Sequence, residues 1–282
     1  MRKLLISLTI LTSGILLSAQ APFPEPGEIE SFYNTRTLVV LEGDMFSTYN
    51  LFIKVAMKEF WNITEYEFIS QDDFEAKRKD PQFSFIVLTE TRFDKDKSGS
   101  TYNFINLLLG EKVGRLEDMP EMCAVPLSVV ESDQFEYSYK VGMVLRFMQS
   151  HVKNLSDDPS VKGKKYLKYY NQFVPELPSK NILVSEDDLE EDVLSEKTNP
   201  SIFPENLVIS TDEEVQKAIE TRAENTVVLH KVGPWNREGG ICFKMLIGTD
   251  DGKMYFYGEH KVTEKNRSGL LAADIKRIGR FK

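Results

Sequence analysis

Cysteine and histidine are scarce in this 282-residue sequence, which contains two cysteines and three histidines. So few cysteines exclude a small fold held together by disulfides, and the lack of any Cys-x-x-Cys pair excludes a thioredoxin-type redox motif. Cys123 and Cys242 fall in different parts of the fold predicted below. We therefore favour two free, buried thiols over a disulfide between them.

The sequence signatures of common enzymes and cofactor sites are also missing. There is no phosphate-binding loop, no dinucleotide-binding Gly-x-Gly-x-x-Gly, no Gly-x-Ser-x-Gly turn and no His-Glu-x-x-His helix. No run of acids around a glycine resembles a calcium-binding loop. We therefore predict no cofactor and no metal, and the sequence favours a non-enzymatic protein.

An excess of positive charge is absent as well, because the net charge is −9. Nucleic acids and anionic lipids select basic surfaces, so the sequence predicts neither as a partner. A hydrophobic content of 41% with 28% charged residues is typical of a folded globular protein rather than a disordered one.

Only the first residues contain a long apolar run. Residues 1–19 combine Arg2 and Lys3, about 15 mainly apolar residues, and small residues up to Ala19, as in a secretory signal peptide. The run is shorter than the roughly 20 residues that a spanning helix needs. Cleavage after Ala19 would change the net charge from −9 to −11. We predict a secreted or periplasmic protein with no transmembrane segment in its mature chain.

The most informative feature is an internal duplication. Residues 66–110 and 206–248 follow the same order of apolar and polar segments, and 37–44 resembles 181–188 upstream. The alignment matches four pairs of residues: Leu38 with Ile182, Ser70 with Ser210, Leu88 with Leu229, and Gly110 with Gly248. Similarity at a nearly constant spacing indicates that one structural unit occurs twice.

Each unit predicts the order β-α-β-α-β-β-β-α, which gives an α/β fold. Short helical crossovers favour parallel first strands, and a hairpin adds antiparallel strands, so we predict mixed sheets with helices on their faces. The predicted organisation is a signal peptide at 1–19, an extended lead-in at 20–36, a first repeat at 37–155, a helical linker at 156–179 and a second repeat at 180–282.

Two apolar stripes are predicted to pack between the repeats. The first lies on one long helix over residues 135–155. The second consists of Tyr166, Tyr169, Tyr170 and Phe173, on a basic helix that starts near Val161.

Candidate binding residues lie where predicted parallel strands end. In open α/β sheets, ligands collect outside the carboxyl ends of the strands. Asp44 in the first repeat and Asp188 and Asp212 in the second occupy these positions, although acids there also serve as helix caps. Trp235, in a glycine-rich loop, is either exposed for contact or folded back over the sheet.

A weaker catalytic hypothesis concerns Cys242, His230 and His260. If the last two strands form a hairpin through 249–252, Cys242 faces Gly258 or Glu259, within two residues of His260. His230 would end a neighbouring strand at the same edge. A Cys–His pair forms a thiolate nucleophile, and two histidines, Cys242 and Asp212 are possible zinc ligands. The alternative is that the thiol is a buried apolar group.

Three functions follow, in order of preference. The first is a non-enzymatic binding or scaffold protein whose partner is another cell-envelope or extracellular protein. The second is a small-molecule or peptide-binding protein, with its ligand between the repeats or at the carboxyl edge of the sheets. The third is a Cys/His-dependent hydrolase or a zinc site in the second repeat. Converging polar groups in a pocket would favour the second, and an exposed apolar face the first.

Overall fold

The computed structural model of the protein describes residues 21–44, 46–158, 161, 166–235 and 237–280. The predicted signal peptide therefore lies outside the described residues. Among those residues, no helix combines the length and the apolar character required to cross a lipid bilayer.

The first half forms one five-stranded sheet in the order β2-β1-β3-β4-β5. Its strands are β1 (Arg36–Val40), β2 (Glu65–Ile69), β3 (Phe83–Thr91), β4 (Tyr102–Leu109) and β5 (Glu121–Val129). Its helices are α1 (Pro26–Phe32), α2 (Thr48–Phe60), α3 (Gln71–Lys77), α4 (Phe135–Ser138) and α5 (Val141–Asp157), with a 3₁₀ turn at Leu116–Asp118.

The second half forms another five-stranded sheet, in the order β7-β6-β8-β9-β10. Its strands are β6 (Asn181–Val184), β7 (Leu207–Ile209), β8 (Thr226–Val232), β9 (Ile241–Gly248) and β10 (Met254–Lys261). Its helices are α6 (Glu191–Ser195), α7 (Asp212–Thr221) and α8 (Ala272–Ile278), with 3₁₀ helices at Tyr166–Ser179 and Glu186–Asp188.

The two sheets have the same topology. In each, the first strand lies parallel to the second and third, and the remaining pairs are antiparallel. This confirms the predicted α/β class, the mixed sheets and the duplicated element order. Capping residues begin the crossover helices as expected: Ser70 caps α3 and Thr211 caps α7, each in a capping box.

Strand register corrects two pairs of the sequence alignment. Leu38 pairs with Phe85, and its equivalent Ile182 pairs with Val227. Phe85 therefore corresponds to Val227, so Leu88 corresponds to His230 rather than to Leu229. The next strand pairs Phe85 with Leu108 and Val227 with Gly248, so Gly248 corresponds to Leu108 rather than to Gly110. The segments that the alignment compares, 85–88 and 227–229, are apolar, so their composition could not reveal a shifted register.

A single apolar core lies between the inner faces of the two sheets. Val39 and Ile86 of the first sheet and Val228 and Met245 of the second belong to it. The opposite face of each sheet packs a smaller core of its own, under α3 in the first half and under α6 and α8 in the second. The two repeats thus share their largest core.

The predicted long helix at 135–155 is present as two helices, α4 and α5. Its predicted apolar stripe is buried, and α5 also buries consecutive residues from Val141 to Leu145. The first turns of α5 are therefore surrounded by core, while its last turns keep an exposed face.

The connection between the halves is a 3₁₀ helix over Tyr166–Ser179, where the sequence predicted a basic helix from about Val161. Pro175 and Pro178 lie inside it, and proline lacks the N–H that an α-helix requires. Three residues of the predicted aromatic stripe pack between the repeats: Tyr166 and Tyr170 are buried in the shared core, and Phe173 contacts both it and the core of the second half. Tyr169, the fourth, is instead exposed.

Two side chains of this connection pair with the edge strands of the two sheets. The Tyr166 hydroxyl accepts a hydrogen bond from the Ala124 N–H at 2.7 Å and donates to the Ala124 carbonyl at 2.8 Å. Asn171 does the same for Tyr257, accepting from its N–H at 2.7 Å and donating to its carbonyl at 2.9 Å. Backbone groups that an edge strand would leave unpaired are thereby satisfied.

We expect Tyr166→Phe to lower the free energy of unfolding by about 1–3 kcal/mol, because both backbone groups of Ala124 would lose a buried partner. Chemical denaturation followed by circular dichroism would measure the loss. Tyr169→Phe is the matched control: Tyr169 is 38% exposed and its hydroxyl has no hydrogen bond among the described residues, so a change within about 0.5 kcal/mol is expected. Equal losses in the two variants would contradict the edge-strand role.

Candidate functional site

A cleft of about 500 Å³ opens between the two halves. Three groups of residues line it: the end of β5 and the turn into α4, the carboxyl ends of β6 and β7, and the end of β8 with its following loop. Three of the four predicted binding residues, Trp235, Asp188 and Asp212, line this cleft, and so does His230. The cleft therefore combines the two places where a ligand was expected, the carboxyl edge and the space between the repeats.

Asp44, the fourth predicted binding residue, does not line the cleft. Its Oδ1 accepts a hydrogen bond from the Phe46 N–H at 2.9 Å, and its carbonyl accepts one from Asn50 Nδ2 at 2.8 Å. Asp44 thus organises the turn before α2. The equivalent edge of the first sheet is occupied by the protein's own polar contacts.

Asp188 is at the centre of a buried ion network that joins the halves. Lys140, from the turn between α4 and α5, places its Nζ 3.2 Å from Asp188 Oδ2 and 3.4 Å from the Leu229 carbonyl. Lys231 lies 3.6 Å from Asp188 Oδ1 and also donates to the Asp187 carbonyl. Lys140 and Asp188 are only 4% and 7% exposed. Each side chain of this buried pair is thus matched by one of opposite charge, so the loss of either partner would leave the other buried without compensation.

Asp212 is the first residue of α7 and receives two hydroxyl donors. Tyr139 donates to its Oδ1 at 3.0 Å, and Ser185 donates to the same oxygen at 2.7 Å. Burial, together with the neighbouring Asp212 carboxylate, raises the pKa of Tyr139, so the phenol keeps its proton. Asp212 therefore presents a fixed carboxylate to the cleft.

Three more carboxylates line the cleft without a cationic partner among the described residues. Asp133, Glu136 and Asp187 are all exposed. Partial burial and then the nearby Asp133 raise the pKa of Glu136, and Lys231 only partly offsets them. Neighbouring carboxylates of the cleft are thus close enough to Glu136 to contribute to its raised pKa.

His230 is 1% exposed and lies where the two halves meet. Its Nε2 is 2.9 Å from the Pro126 carbonyl, which can only accept, so Nε2 carries the proton. Its Nδ1 has no hydrogen-bond partner in the described part of the chain. Burial, and next the charge of Lys140, lowers the pKa of His230 to about 4. The imidazole is therefore neutral at physiological pH, with an available acceptor.

The three residues of the catalytic hypothesis do not meet. A bulge between Met254 and Phe256 shifts the register so that Cys242 pairs directly with His260. His230, however, alternates with residues that pack on the outer core, so it points to the inner face. Cys242 alternates with Phe243 of the inner core and therefore points to the outer face. Opposite faces of one sheet cannot form a common site.

The Cys242–His260 pair itself is poorly suited to nucleophilic chemistry. Burial raises the pKa of the Cys242 thiol, so it stays protonated, and only a thiolate is a strong nucleophile. His260 Nε2 donates to the Arg267 carbonyl, 2.9 Å away, and burial lowers the pKa of His260. Within the described residues, no group of three or more His, Cys, Asp and Glu side chains is arranged to hold a metal ion.

Trp235 is 61% exposed, so its ring is not folded back over the sheet. The Nζ of Lys231 lies 6.0 Å from the ring centroid. Sequence reasoning identified this tryptophan, but it did not place Lys140 or Glu136 in the same site. Those two residues line the cleft because the end of the first repeat packs against the second.

No family model, no curated protein and no solved structure matches this chain. The function must therefore be argued from the residues of the cleft.

We expect both cysteines to resist alkylation in the folded protein. Cys123 and Cys242 are free and fully buried, and burial raises the pKa of each thiol. Intact-mass analysis after iodoacetamide treatment at pH 7.5 would show no adduct on the native protein and two on the denatured protein. Rapid labelling of native Cys242 would revive the thiol-enzyme hypothesis.

We expect acid to destabilise the protein through His230. A histidine whose pKa is lower in the folded state than in the unfolded state contributes stability that is lost as the pH falls from about 6.5 to about 4. Each such group costs up to about 1.4 kcal/mol per pH unit in this window. Urea denaturation at pH 6.5, 5.5 and 4.5 should therefore give a shallower pH dependence for His230→Asn than for the wild type. Parallel curves would contradict this assignment.

Proposed function

We propose that this protein is a non-enzymatic binding protein whose ligand occupies the cleft between its two halves. The observation that carries the proposal is the convergence of polar side chains from both halves on one cavity of about 500 Å³. Cavities of this size are typical of sites for small molecules.

The cleft is better equipped for binding than for catalysis. Ser185 donates to Asp212 and Ser128 accepts from Asn103, and in the described residues neither of these serines is bonded to a histidine. His230 is held by a backbone carbonyl rather than by a carboxylate that would orient it as a base. The fixed groups are hydrogen-bond acceptors and charges, which orient a bound molecule.

Binding to another cell-envelope or extracellular protein is the second candidate. Large apolar side chains are exposed at Phe46 (89%) and Leu51 (62%) on the first half, and at Phe135 (69%) beside the cleft. Exposed apolar groups of this kind favour contact with a protein partner. Export by residues 1–19 remains a prediction and is common to both candidates.

A thermal-shift screen that compares the wild type with a variant whose cleft is filled by a larger side chain tests the first candidate. The panel would contain amines, amino acids, short peptides, sugars, nucleotides and organic acids. We expect one class to raise the melting temperature of the wild type, and Ser132→Trp to abolish the shift because the indole would fill the cleft that Ser132 lines. Ser201→Trp, at an exposed serine outside the cleft, should keep the shift. A shift that survives Ser132→Trp, or no shift with any class, would refute cleft binding.

A further inference from the structure

The charge of the cleft indicates which class of ligand it binds, an inference that rests on the proposed function. Six carboxylates line the cleft, on Glu131, Asp133, Glu136, Asp187, Asp188 and Asp212. Three cations face them, on Lys140, Lys231 and Arg237. With His230 neutral, the lining has a net charge of −3.

The cations of the cleft are already used within the protein. Lys140 and Lys231 both form ion pairs with Asp188 and donate hydrogen bonds to backbone carbonyls. Their side chains are only 6% and 12% exposed. Arg237 pairs with Glu131 at 3.1 Å, and both side chains are about half exposed. The two buried lysines are therefore unavailable to a ligand, and Arg237 already has a carboxylate partner in the lining.

The acceptors, by contrast, remain available. In the described part of the chain, the carboxylates of Glu136 and Asp187 receive no hydrogen bond, and the Asp212 carboxylate has only neutral hydroxyl donors. His230 adds an acceptor of a different kind, because its buried Nδ1 has no partner. An N–H donor from a ligand would pair with these acceptors, and the gain is largest at His230 Nδ1, because a buried unpaired acceptor is costly whereas the exposed carboxylates are solvated.

Trp235 provides an aromatic face beside these acceptors. A cation over an indole ring is attracted by the negative face of the π-system, and tryptophan is the strongest aromatic partner for this contact. Lys231 already approaches the ring at 6.0 Å, but it can cover only one of the two faces.

We propose that the cleft binds an organic cation, namely an ammonium or guanidinium group carried by a free amine or by a lysine or arginine side chain of a peptide. The carboxylates of Glu136, Asp187 and Asp212 accept its N–H donors, His230 Nδ1 accepts another, and Trp235 covers its apolar part.

Isothermal titration calorimetry at low ionic strength tests whether the ligand is an organic cation. The probes are spermidine, a short end-blocked peptide containing lysine, the same peptide with Nε-acetyl-lysine, and the same peptide with glutamate in place of lysine. We expect spermidine or the lysine peptide to bind with one-to-one stoichiometry, and the acetylated and acidic peptides not to bind. If only spermidine binds, the cation of the natural ligand belongs to a free amine. If only the lysine peptide binds, the cation belongs to a basic side chain of a peptide.

Isosteric variants show which carboxylates contribute to binding of the cationic probe. Glu136→Gln with Asp187→Asn removes two exposed carboxylates without changing shape, so binding of the cationic probe should weaken by about tenfold. Glu59→Gln with Asp72→Asn removes two exposed carboxylates elsewhere and should leave the affinity within about twofold. Unchanged affinity in the cleft variant would overturn the inference.

The two proposals fail in different ways. If a neutral or anionic compound binds and Ser132→Trp abolishes its binding, the cleft is a ligand site but not a cation site, and only this inference is refuted. If amines bind equally well to Ser132→Trp, or if no compound binds the wild type, both proposals are refuted.

Discussion

The burial of two sheet faces against one layer of helices is the constraint on which the rest of this structure depends. Val39 and Val228, from different repeats, lie in the same apolar core with α5 between the sheets. Each fully buried aliphatic side chain contributes about 1.5–3 kcal/mol relative to exposure. Separating the repeats would expose many such side chains at once. The relative position of the halves is therefore fixed by packing rather than by the connection between them.

The cleft inherits its shape from that packing. Lys140 immediately precedes α5, the helix most deeply buried in the shared core, and reaches Asp188 on the second half. His230, at the inner face of the other sheet, reaches the Pro126 carbonyl of the first. Both contacts are polar, buried and oriented across the junction. If the halves shifted against each other while these groups stayed buried, each group would lose its partner without gaining water. The contacts therefore favour one arrangement of the halves.

Duplication produced two equivalent sheet edges that serve different purposes. At the first, Asn50 Nδ2 donates to the Asp44 carbonyl and the Asp44 carboxylate accepts from the Phe46 N–H. These hydrogen bonds stabilise the start of α2. At the second, Asp188 and Asp212 face a cavity, because the end of β5 and the turn into α4 lie across from them. One of two equivalent edges is thus filled by contacts within its own half, and the other opens onto a cleft.

The sequence by itself determined the α/β class, the repeated strand and helix order and the burial of Tyr166 and Tyr170 in the linker, because these follow from local periodicity and capping. It also identified Asp188, Asp212 and Trp235, since residues at the carboxyl ends of strands share an edge. Tertiary structure alone decided that Lys140 and Glu136 join them, that Asp44 does not, and that His230 and Cys242 lie on opposite faces of a sheet. Those outcomes depend on strand register and on how two distant segments pack. A register shift of one residue leaves no trace in a short apolar run such as 85–88.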